Sequence, residues 1–137
     1  MAKLINISEA ASIAIHSLAL IANTEEHLNS GQLAFKLGFS KNHLAKILQM
    51  LVKYGYLDSE RGPKGGFKLK MEASQVTILE IYELLEGHLD TDEQCAHNHT
   101  ECPFEECVYG AIRTGLTQQF KNYFENKKLS DITIKNS

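Results

Sequence analysis

Three closely spaced cysteines are the residues of this chain whose type and spacing point most directly to chemistry. Cys95, Cys102 and Cys107 form the pattern C-x6-C-x4-C within thirteen residues. Thiolates are the ligands that iron-sulfur clusters and zinc prefer, and three of them on one short loop can converge on a single site. An odd number of cysteines excludes complete disulfide pairing within the chain, which favours metal binding or thiol redox chemistry. A zinc site that adds His97 or His99, a thiol switch and plain free cysteines are the alternatives.

Two predicted helices flank the cysteines and must position them. Thr77 and Glu80 have the spacing of a capping box, which predicts a helix that begins directly after Thr77. Residues 87–101 contain almost no core-forming side chains, so this stretch is predicted to be an exposed loop. Pro103 is tolerated at a first helical position, and a helix from there places Cys107 in its first turns, near the positive helix end that stabilises thiolates.

The predicted helix after the cysteines carries an apolar stripe with no evident partner within a single domain. A second copy of the chain is the simplest partner for such a stripe, which predicts a homodimer. The stripe consists of Ile112, Leu116, Phe120, Tyr123 and Phe124.

Upstream of the cysteines, two helices joined by a glycine turn predict a helix-turn-helix. Ser30 is predicted to cap a short helix over 31–37, Gly38 to end it in the left-handed conformation, and Ser40 to cap a second helix that runs to Lys53. The second helix is amphipathic, because apolar residues recur in it at offsets of three and four. They are Leu44, Ile47, Leu48, Leu51 and Val52.

A hairpin is predicted after this second helix, and an apolar helix is predicted before the pair. Tyr56 and Leu57 begin one strand, residues 67–69 return as the other, and the sequence RGPKGG supplies the turn between them. Residues 10–22 are apolar almost all round, so the first helix should be buried on more than one side. Asn6 followed by Glu9 suits a capping arrangement at its start.

The positive charge of the chain is concentrated around the helix-turn-helix and the hairpin. The net charge of the whole chain is -3. Residues 1–71 hold nine Lys or Arg against five Asp or Glu, a net of +4, whereas residues 72–137 hold five against twelve, a net of -7. Between Gly31 and Lys70 eight basic residues face two acidic ones, a net of +6. Local charge determines where polyanions bind, so this stretch is the predicted contact with nucleic acid.

The order of cap, glycine turn, amphipathic helix and basic glycine-rich hairpin is that of a winged helix that binds double-stranded DNA. The N-terminal residues of a reading helix meet base edges in the major groove, and here Asn42 and His43 suit base contacts. Lys41 and Lys46 suit phosphates, and Arg61 suits a narrow minor groove. The predicted DNA-binding residues are Ser40, Lys41, Asn42, His43, Lys46, Arg61, Gly62, Lys64 and Gly65.

Several of these motifs together resemble the Rrf-type family of bacterial winged-helix transcription regulators, and in particular its iron-sulfur-binding members. The resemblance rests on the order of elements, the RGPKGGF hairpin, the TILEIYELLEG helix and the cysteine trio, and it covers about residues 8–132. It implies a homodimer on a roughly palindromic operator, with the C-terminal helix crossing its mate. It also implies that the cysteines hold a 2Fe-2S or 4Fe-4S cluster.

The fourth ligand of such a cluster is open, because this chain departs from the patterns of the family. In one type of member a histidine lies three residues after the last cysteine, where this chain has Gly110. In another an aspartate from the first helix of the other subunit serves, and an ungapped alignment puts Ser12 there, with Glu9 one turn earlier. His97, His99 and Glu9 are therefore the candidates, together with the loop acids Glu101, Glu105 and Glu106.

These observations predict a mainly α fold, namely a winged helix-turn-helix domain over 1–87, a cysteine-containing sensor loop over 88–107, and a dimerisation helix with its tail over 108–137. The predicted function is a DNA-binding regulator whose cluster senses redox state, nitric oxide or iron-sulfur status. A metal-free, partner-binding or thiol-switch regulator is the alternative, as is a zinc site at the same cysteines. An enzyme is not expected, because the sequence shows no nucleophile and base that are accompanied by an oxyanion loop or a phosphate loop. No apolar run of about 18 residues predicts a membrane span, so a cytoplasmic protein is expected.

Overall fold

The computed structural model describes residues 7–89 and 103–135, and within them the chain is mainly helical with one small hairpin. Among the helices of these residues, none combines the length and the apolar composition that a membrane span requires. In chain order the elements are the helices α1 (Glu9–Ala22), α2 (Ser30–Leu37) and α3 (Lys41–Lys53), the strands β1 (Leu57–Glu60) and β2 (Gly66–Leu69), a 3-10 turn (Ala73–Gln75), the helices α4 (Ile78–Glu86) and α5 (Ile112–Glu125), and a second 3-10 turn (Leu129–Asp131). This order confirms the predicted winged helix-turn-helix.

The first helix, α1, is buried on more than one side, as its composition predicts. It packs against α3, α4, β2 and the second 3-10 turn. Its cap differs from the prediction, because the Ser8 hydroxyl accepts a hydrogen bond from the Ala11 amide at 3.1 Å and Glu9 is already the first helical residue. Asn6, the predicted cap, lies outside the described residues.

The helix-turn-helix has the predicted turn but a different first cap. Asn29, rather than Ser30, caps α2, because Asn29 and Gln32 form a reciprocal capping box with bonds of 2.8 and 3.0 Å. Gly38 ends α2 in the left-handed conformation at φ 76°, and the Ser40 hydroxyl caps α3. The buried residues of α3 are Leu44, Ile47, Leu48 and Leu51, whereas Val52 is only partly buried.

The wing is a two-stranded antiparallel hairpin that is attached to the helical core through its second strand. The register pairs Leu57 with Leu69 and Glu60 with Gly66. The Phe67 amide donates to the Leu28 carbonyl at 2.8 Å, so β2 has a second backbone partner besides β1, in the segment between α1 and α2. Leu57 and Phe67 bury their side chains in the core, which fixes the base of the wing while its tip stays exposed.

Two glycines of the wing are required because a side chain at either position would meet backbone atoms. At Gly65 these atoms belong to the wing itself, and at Gly66 they belong to the segment between α1 and α2. A Cβ added to Gly65 would meet the Glu60 carbonyl oxygen and would lie 2.8 Å from the Arg61 carbonyl carbon. A Cβ added to Gly66 would lie 2.8 Å from the Asn29 amide nitrogen, and Gly66 also has φ 146°. Gly62 has φ 108° but no atoms within 4 Å of an added Cβ.

The chain after α4 returns to the same core. Tyr82 of α4 packs edge-on against Phe120 of α5, with ring centroids 5.0 Å apart. Leu129 is fully buried, and its amide donates to the Val76 carbonyl at 3.0 Å. The Asn23 side-chain amide donates to the Ile132 carbonyl at 2.9 Å. The far end of α5 is therefore held by the helical domain, although no residue within α5 is itself buried.

The prediction of a helix that begins at Pro103 is wrong. The described residues before α5 form turns, and α5 begins only at Ile112. Gly110 has φ 60°, a left-handed conformation that an α-helix interior cannot contain. Cys107 consequently lies in a turn five residues before α5, and the proposed stabilisation of its thiolate by the start of a helix does not apply.

The wing glycines predict different costs for the same substitution. Gly62→Ala is expected to cost about 1–2 kcal/mol of unfolding free energy, since only the backbone conformation is strained. Gly65→Ala is expected to cost about 3 kcal/mol or more, because the added methyl group meets rigid backbone of β1. Urea unfolding followed by circular dichroism measures both, and Gly62→Ala serves as the matched control. Equal costs for the two variants would contradict this account of the turn.

Candidate nucleic-acid interface and cysteine loop

The start of α3 presents polar and basic side chains outward because the opposite face of the helix is buried. Lys41, Asn42 and Lys46 are exposed, and His43 is partly exposed. The Ser40 hydroxyl lies 3.5 Å from the His43 amide, and the Ser40 carbonyl accepts from the Leu44 amide at 2.9 Å. The first turn of α3 is thus fixed by its cap, and the side chains predicted to read DNA are accessible to a groove.

Lys41 and Lys64 both lie near the start of α2. A Cβ built on Gly31 would be 3.8 Å from Cε of Lys41 and 3.9 Å from its Nζ, so the Lys41 side chain crosses the first turn of α2. Lys64, at the wing tip, shares an open polar groove with Asn29 and Gln32 of the same turn. The fold therefore brings the basic start of α3 and the basic wing tip to one place, although they are far apart in sequence.

A carboxylate from α1 contacts the predicted reading helix. Oε1 of Glu9 lies 3.4 Å from Nδ1 of His43; the Glu9 side chain is exposed and the His43 side chain is partly exposed. Glu9 was predicted as a candidate cluster ligand and His43 as a base-reading residue, so the structure joins two predicted site residues that the sequence separates by 34 positions. Periodicity within one helix cannot reveal a contact between helices, and no sequence signal indicated this pair.

The tip of the wing is exposed and its sides are tied to the segment between α1 and α2. Arg61 and Lys64 are exposed at the tip. Nε2 of His27 lies 3.4 Å from a carboxylate oxygen of Glu60, and Nζ of Lys68 lies 3.3 Å from the Thr24 carbonyl oxygen. These contacts hold the strands of the wing and leave the guanidinium of Arg61 available at the end of the hairpin.

The base of the wing is linked to α4 by one carboxylate. The Tyr56 hydroxyl donates to Oε2 of Glu80 at 2.8 Å, and Oε1 of Glu80 accepts from the Thr77 amide at 2.7 Å. Burial of Tyr56, its hydrogen bond to Glu80 and the charge of Glu80 together raise the pKa of Tyr56 to about 12. The capping box of α4 was predicted from the sequence, whereas its additional bond to Tyr56 was not.

The other end of α4 leads to the cysteine loop through a second carboxylate. Oε2 of Glu83 lies 2.7 Å from Nδ1 of His88 and accepts from the Leu89 amide, also at 2.7 Å. Gly87 ends the helix at φ 95°. The chain is therefore directed by α4 up to residue 89, directly before the stretch that carries the first two cysteines.

Only one of the three cysteines lies in the described part of the chain. Cys107 is exposed with a free thiol, and its carbonyl accepts from the Gly110 amide at 2.9 Å in a tight turn. Cys95 and Cys102 lie outside the described residues, and so do His97 and His99. Within residues 7–89 and 103–135 no group of three or more histidines, cysteines or acids is placed to hold a metal ion. The three thiols fit an iron-sulfur cluster by the chemistry of the donor set, and their convergence stays a prediction.

The sequence matches a described protein family over almost its whole length. Residues 7–135 match the family Rrf2, described as an iron-dependent transcriptional regulator. The chain is 39% identical over 85 residues to a protein of Rhodopseudomonas palustris named as the HTH-type transcriptional regulator BadM. That match covers 61% of this chain and 54% of the relative, so the matched part spans about half the length of that protein.

Solved structures share the fold at low sequence identity. CymR of B. subtilis, described as the global cysteine regulator, has a TM-score of 0.73 and 20% identity, over 93% of this chain and 95% of that one. IscR of T. potens has a TM-score of 0.72 and 19% identity, over 93% of this chain and 85% of that one. CymR of Staphylococcus aureus has a TM-score of 0.72 and 18% identity, over 94% of this chain and 100% of that one.

Proposed function

The chain belongs to the Rrf2 family of transcriptional regulators, and from this premise we propose that it binds operator DNA as a homodimer under the control of an iron-sulfur cluster. The family and the named relative are regulators of transcription and not enzymes.

The DNA contact is supported by the meeting of two basic elements at the start of α2. Lys41 of α3 and Lys64 of the wing lie near this turn, and Arg61 is exposed on the same hairpin as Lys64. This juxtaposition is the observation that carries the DNA-binding function, because a reading helix and a wing must reach neighbouring grooves together. Asn42 and His43 read base edges in the major groove, Lys41 and Lys46 meet phosphates, and Arg61 enters the minor groove. The remaining contacts are Ser40, Gly62, Lys64 and Gly65.

The dimer is supported by an exposed apolar face on α5 and the turns before it. Ile112 is 64% exposed and Tyr123 is 60% exposed, and Leu116 lies between them on the same helix. Two copies that bury these faces against each other would present two reading helices related by two-fold symmetry. A roughly palindromic operator follows from that symmetry.

The cluster is supported by the donor set and by the description of the family as iron-dependent. Cys95, Cys102 and Cys107 supply thiolates, and a fourth ligand comes from His97, His99 or Glu9. When bound, the cluster supplies a centre that reacts with oxidants or nitric oxide. If Glu9 ligated the cluster, its carboxylate would have to leave His43, because the same carboxylate makes the contact with His43 in the structure.

The protein side of the coupling runs through α4. Glu83 fixes the C-terminal end of α4 next to the cysteine loop, and Glu80 fixes its start to Tyr56 at the base of the wing. When the cysteine loop is ordered or released at the C-terminal end of this nine-residue helix, the change reaches the wing through the start of the helix. Thermodynamic linkage then requires that DNA binding also alters retention of the cluster.

Removal of one wing charge tests the DNA contact. Arg61→Ala is expected to weaken operator binding by about 1–3 kcal/mol, because the substitution removes the guanidinium that contacts the minor groove. Fluorescence anisotropy with labelled duplex DNA measures the affinity over a range of salt concentrations, with a log-log slope of roughly -0.9 per neutralised phosphate. Lys135→Ala, which removes the same charge from an exposed position in the C-terminal tail, is the control. Equal losses of DNA affinity in both variants, or a DNA affinity that does not change with salt concentration, would refute the proposed interface.

Substitution in the exposed stripe of α5 tests the dimer. Leu116→Glu is expected to weaken self-association by about 100-fold or more, because a carboxylate would be buried in an apolar contact. Sedimentation velocity measures the mass in solution. Gln118→Glu introduces the same charge two residues away, at a position whose side chain is exposed and bonds to Asn122. A monomeric wild-type protein, or an unchanged dimer in Leu116→Glu, would contradict the assignment of this face.

Anaerobic purification tests the cluster. The full-length protein is expected to be coloured, with visible absorption bands and with iron and sulfide in equal amounts, and Cys102→Ala is expected to lose them. His88→Ala changes a histidine next to the same loop that bonds to Glu83, and this variant is expected to retain iron. Bound zinc in a colourless protein would favour the zinc alternative. Iron-free protein whose DNA affinity depends on oxidant would favour a thiol switch at the exposed Cys107.

A further inference from the structure

The contact between Glu9 and His43 suggests a role in sequence reading that belongs to neither the cluster nor the wing. We propose that Glu9 is a positioning residue: its carboxylate accepts a hydrogen bond from Nδ1 of His43 and thereby leaves Nε2 as the ring nitrogen that faces DNA and accepts hydrogen bonds there. The inference rests on the proposed DNA-binding function and assigns base preference to one residue pair within it.

Ser40 and Glu9 contact the backbone and the ring of His43, respectively. The Ser40 cap holds the first turn of α3, and α1 packs directly against α3. Oε1 of Glu9 lies 3.4 Å from Nδ1 of His43. An ionised carboxylate can only accept, so the facing ring nitrogen must carry the proton. In a neutral imidazole the second nitrogen is then an acceptor.

The His43 side chain is partly accessible to a ligand. The His43 side chain is 39% exposed. Among the described side chains, Glu9 is the one that bonds to the ring. His43 also lies in the first turn of the reading helix, where side chains meet base edges. The acceptor nitrogen therefore belongs to the part of the molecule that is proposed to enter the major groove.

An acceptor at this position selects particular bases. In the major groove adenine offers the N6 amino group and cytosine offers the N4 amino group as donors, whereas guanine offers the acceptors N7 and O6. A ring with its proton on Nε2, or on both nitrogens, would favour guanine instead. Glu9 thus decides which class of base His43 prefers, although Glu9 itself need not touch DNA.

Two simpler roles for Glu9 predict different behaviour. A carboxylate that merely repels phosphates would weaken binding to every sequence alike. A carboxylate that merely stabilises the first turn of α1 would change the unfolding free energy and leave base preference unaltered. Base preference at one position therefore separates the positioning role from both.

Selection of binding sites from random duplex DNA with the full-length protein tests the proposal. The variants are His43→Ala, Glu9→Ala and the double substitution. Alanine replaces Glu9 because the carbonyl of a glutamine would still accept from Nδ1. Glu25→Ala, which removes the same charge from an exposed residue after α1, is the matched control.

The position read by His43 is the base pair whose preference is lost in His43→Ala. There the wild-type protein is expected to prefer adenine or cytosine by about threefold to tenfold, the worth of one hydrogen bond. Glu9→Ala is expected to reduce this ratio to about twofold or less and to leave the other positions unchanged. The double variant should match His43→Ala, and Glu25→Ala should match the wild type.

Several outcomes would overturn the proposal. They are guanine at the His43 position in wild-type sites, full preference retained in Glu9→Ala, a change in affinity that is uniform over all sequences, and no position lost in His43→Ala. A wild-type protein that enriches no sequence at all would overturn the proposed DNA-binding function, and this inference with it. Specific sites without an effect of Glu9 would overturn the inference alone.

Discussion

Burial of one apolar helix is the constraint on which the rest of the structure depends. α1 packs against α3, α4, β2 and the turn that contains Leu129, so the reading helix, the wing, the start of the cysteine loop and the C-terminal tail share one support. Apolar burial is the dominant favourable term in folding, and protein interiors are packed too densely to deform smoothly. A change in the position of α4 against α1 therefore also shifts the elements that pack on the other sides of α1. The same packing places Glu9, in the first turn of α1, beside the first turn of α3.

Charge is separated along the chain in a way that lets an acidic protein bind a polyanion. The stretch from Gly31 to Lys70 has a net charge of +6, although the whole chain has -3. Salt screens exposed charges beyond about 10 Å at 0.1 M, so DNA at the surface of α3 and the wing experiences local charge. The fold places the acid Glu9 beside the first turn of α3, next to this basic stretch. In the role proposed for it, its contact with His43 orients a side chain on the helix that is proposed to read DNA.

Local sequence signals predicted the elements well and predicted their mutual contacts poorly. The left-handed Gly38, the Ser40 cap and the Thr77–Glu80 capping box each depend on residues within four positions, and all three are confirmed. The cap of α2 was misplaced by one residue because Ser30 and Asn29 are both good caps, and only the reciprocal bond to Gln32 decides between them. The start of α5 was misplaced because Pro103 permits a helix without requiring one, while the left-handed Gly110 prevents it. The Glu9–His43 and Tyr56–Glu80 contacts join separate helices or a helix and a hairpin, and no periodicity encodes them.

The size of the proposed coupling can be compared with the contacts available to carry it. A tenfold change in DNA affinity on loss of the cluster corresponds to about 1.4 kcal/mol, at the lower end of typical allosteric coupling energies. A single hydrogen bond contributes about 0.5–1.5 kcal/mol net, and one to a charged group about 1.5–3 kcal/mol. The bond from Tyr56 to the Glu80 carboxylate is of the second kind, and the pKa of Tyr56, raised to about 12, reflects its burial against that charge. One such bond is therefore sufficient for a tenfold change in DNA affinity, if it forms when the cysteine loop is ordered and is weakened when the loop is released. A larger response would require the packing of α4 against α1 to change as well, which would involve the core that also supports α3.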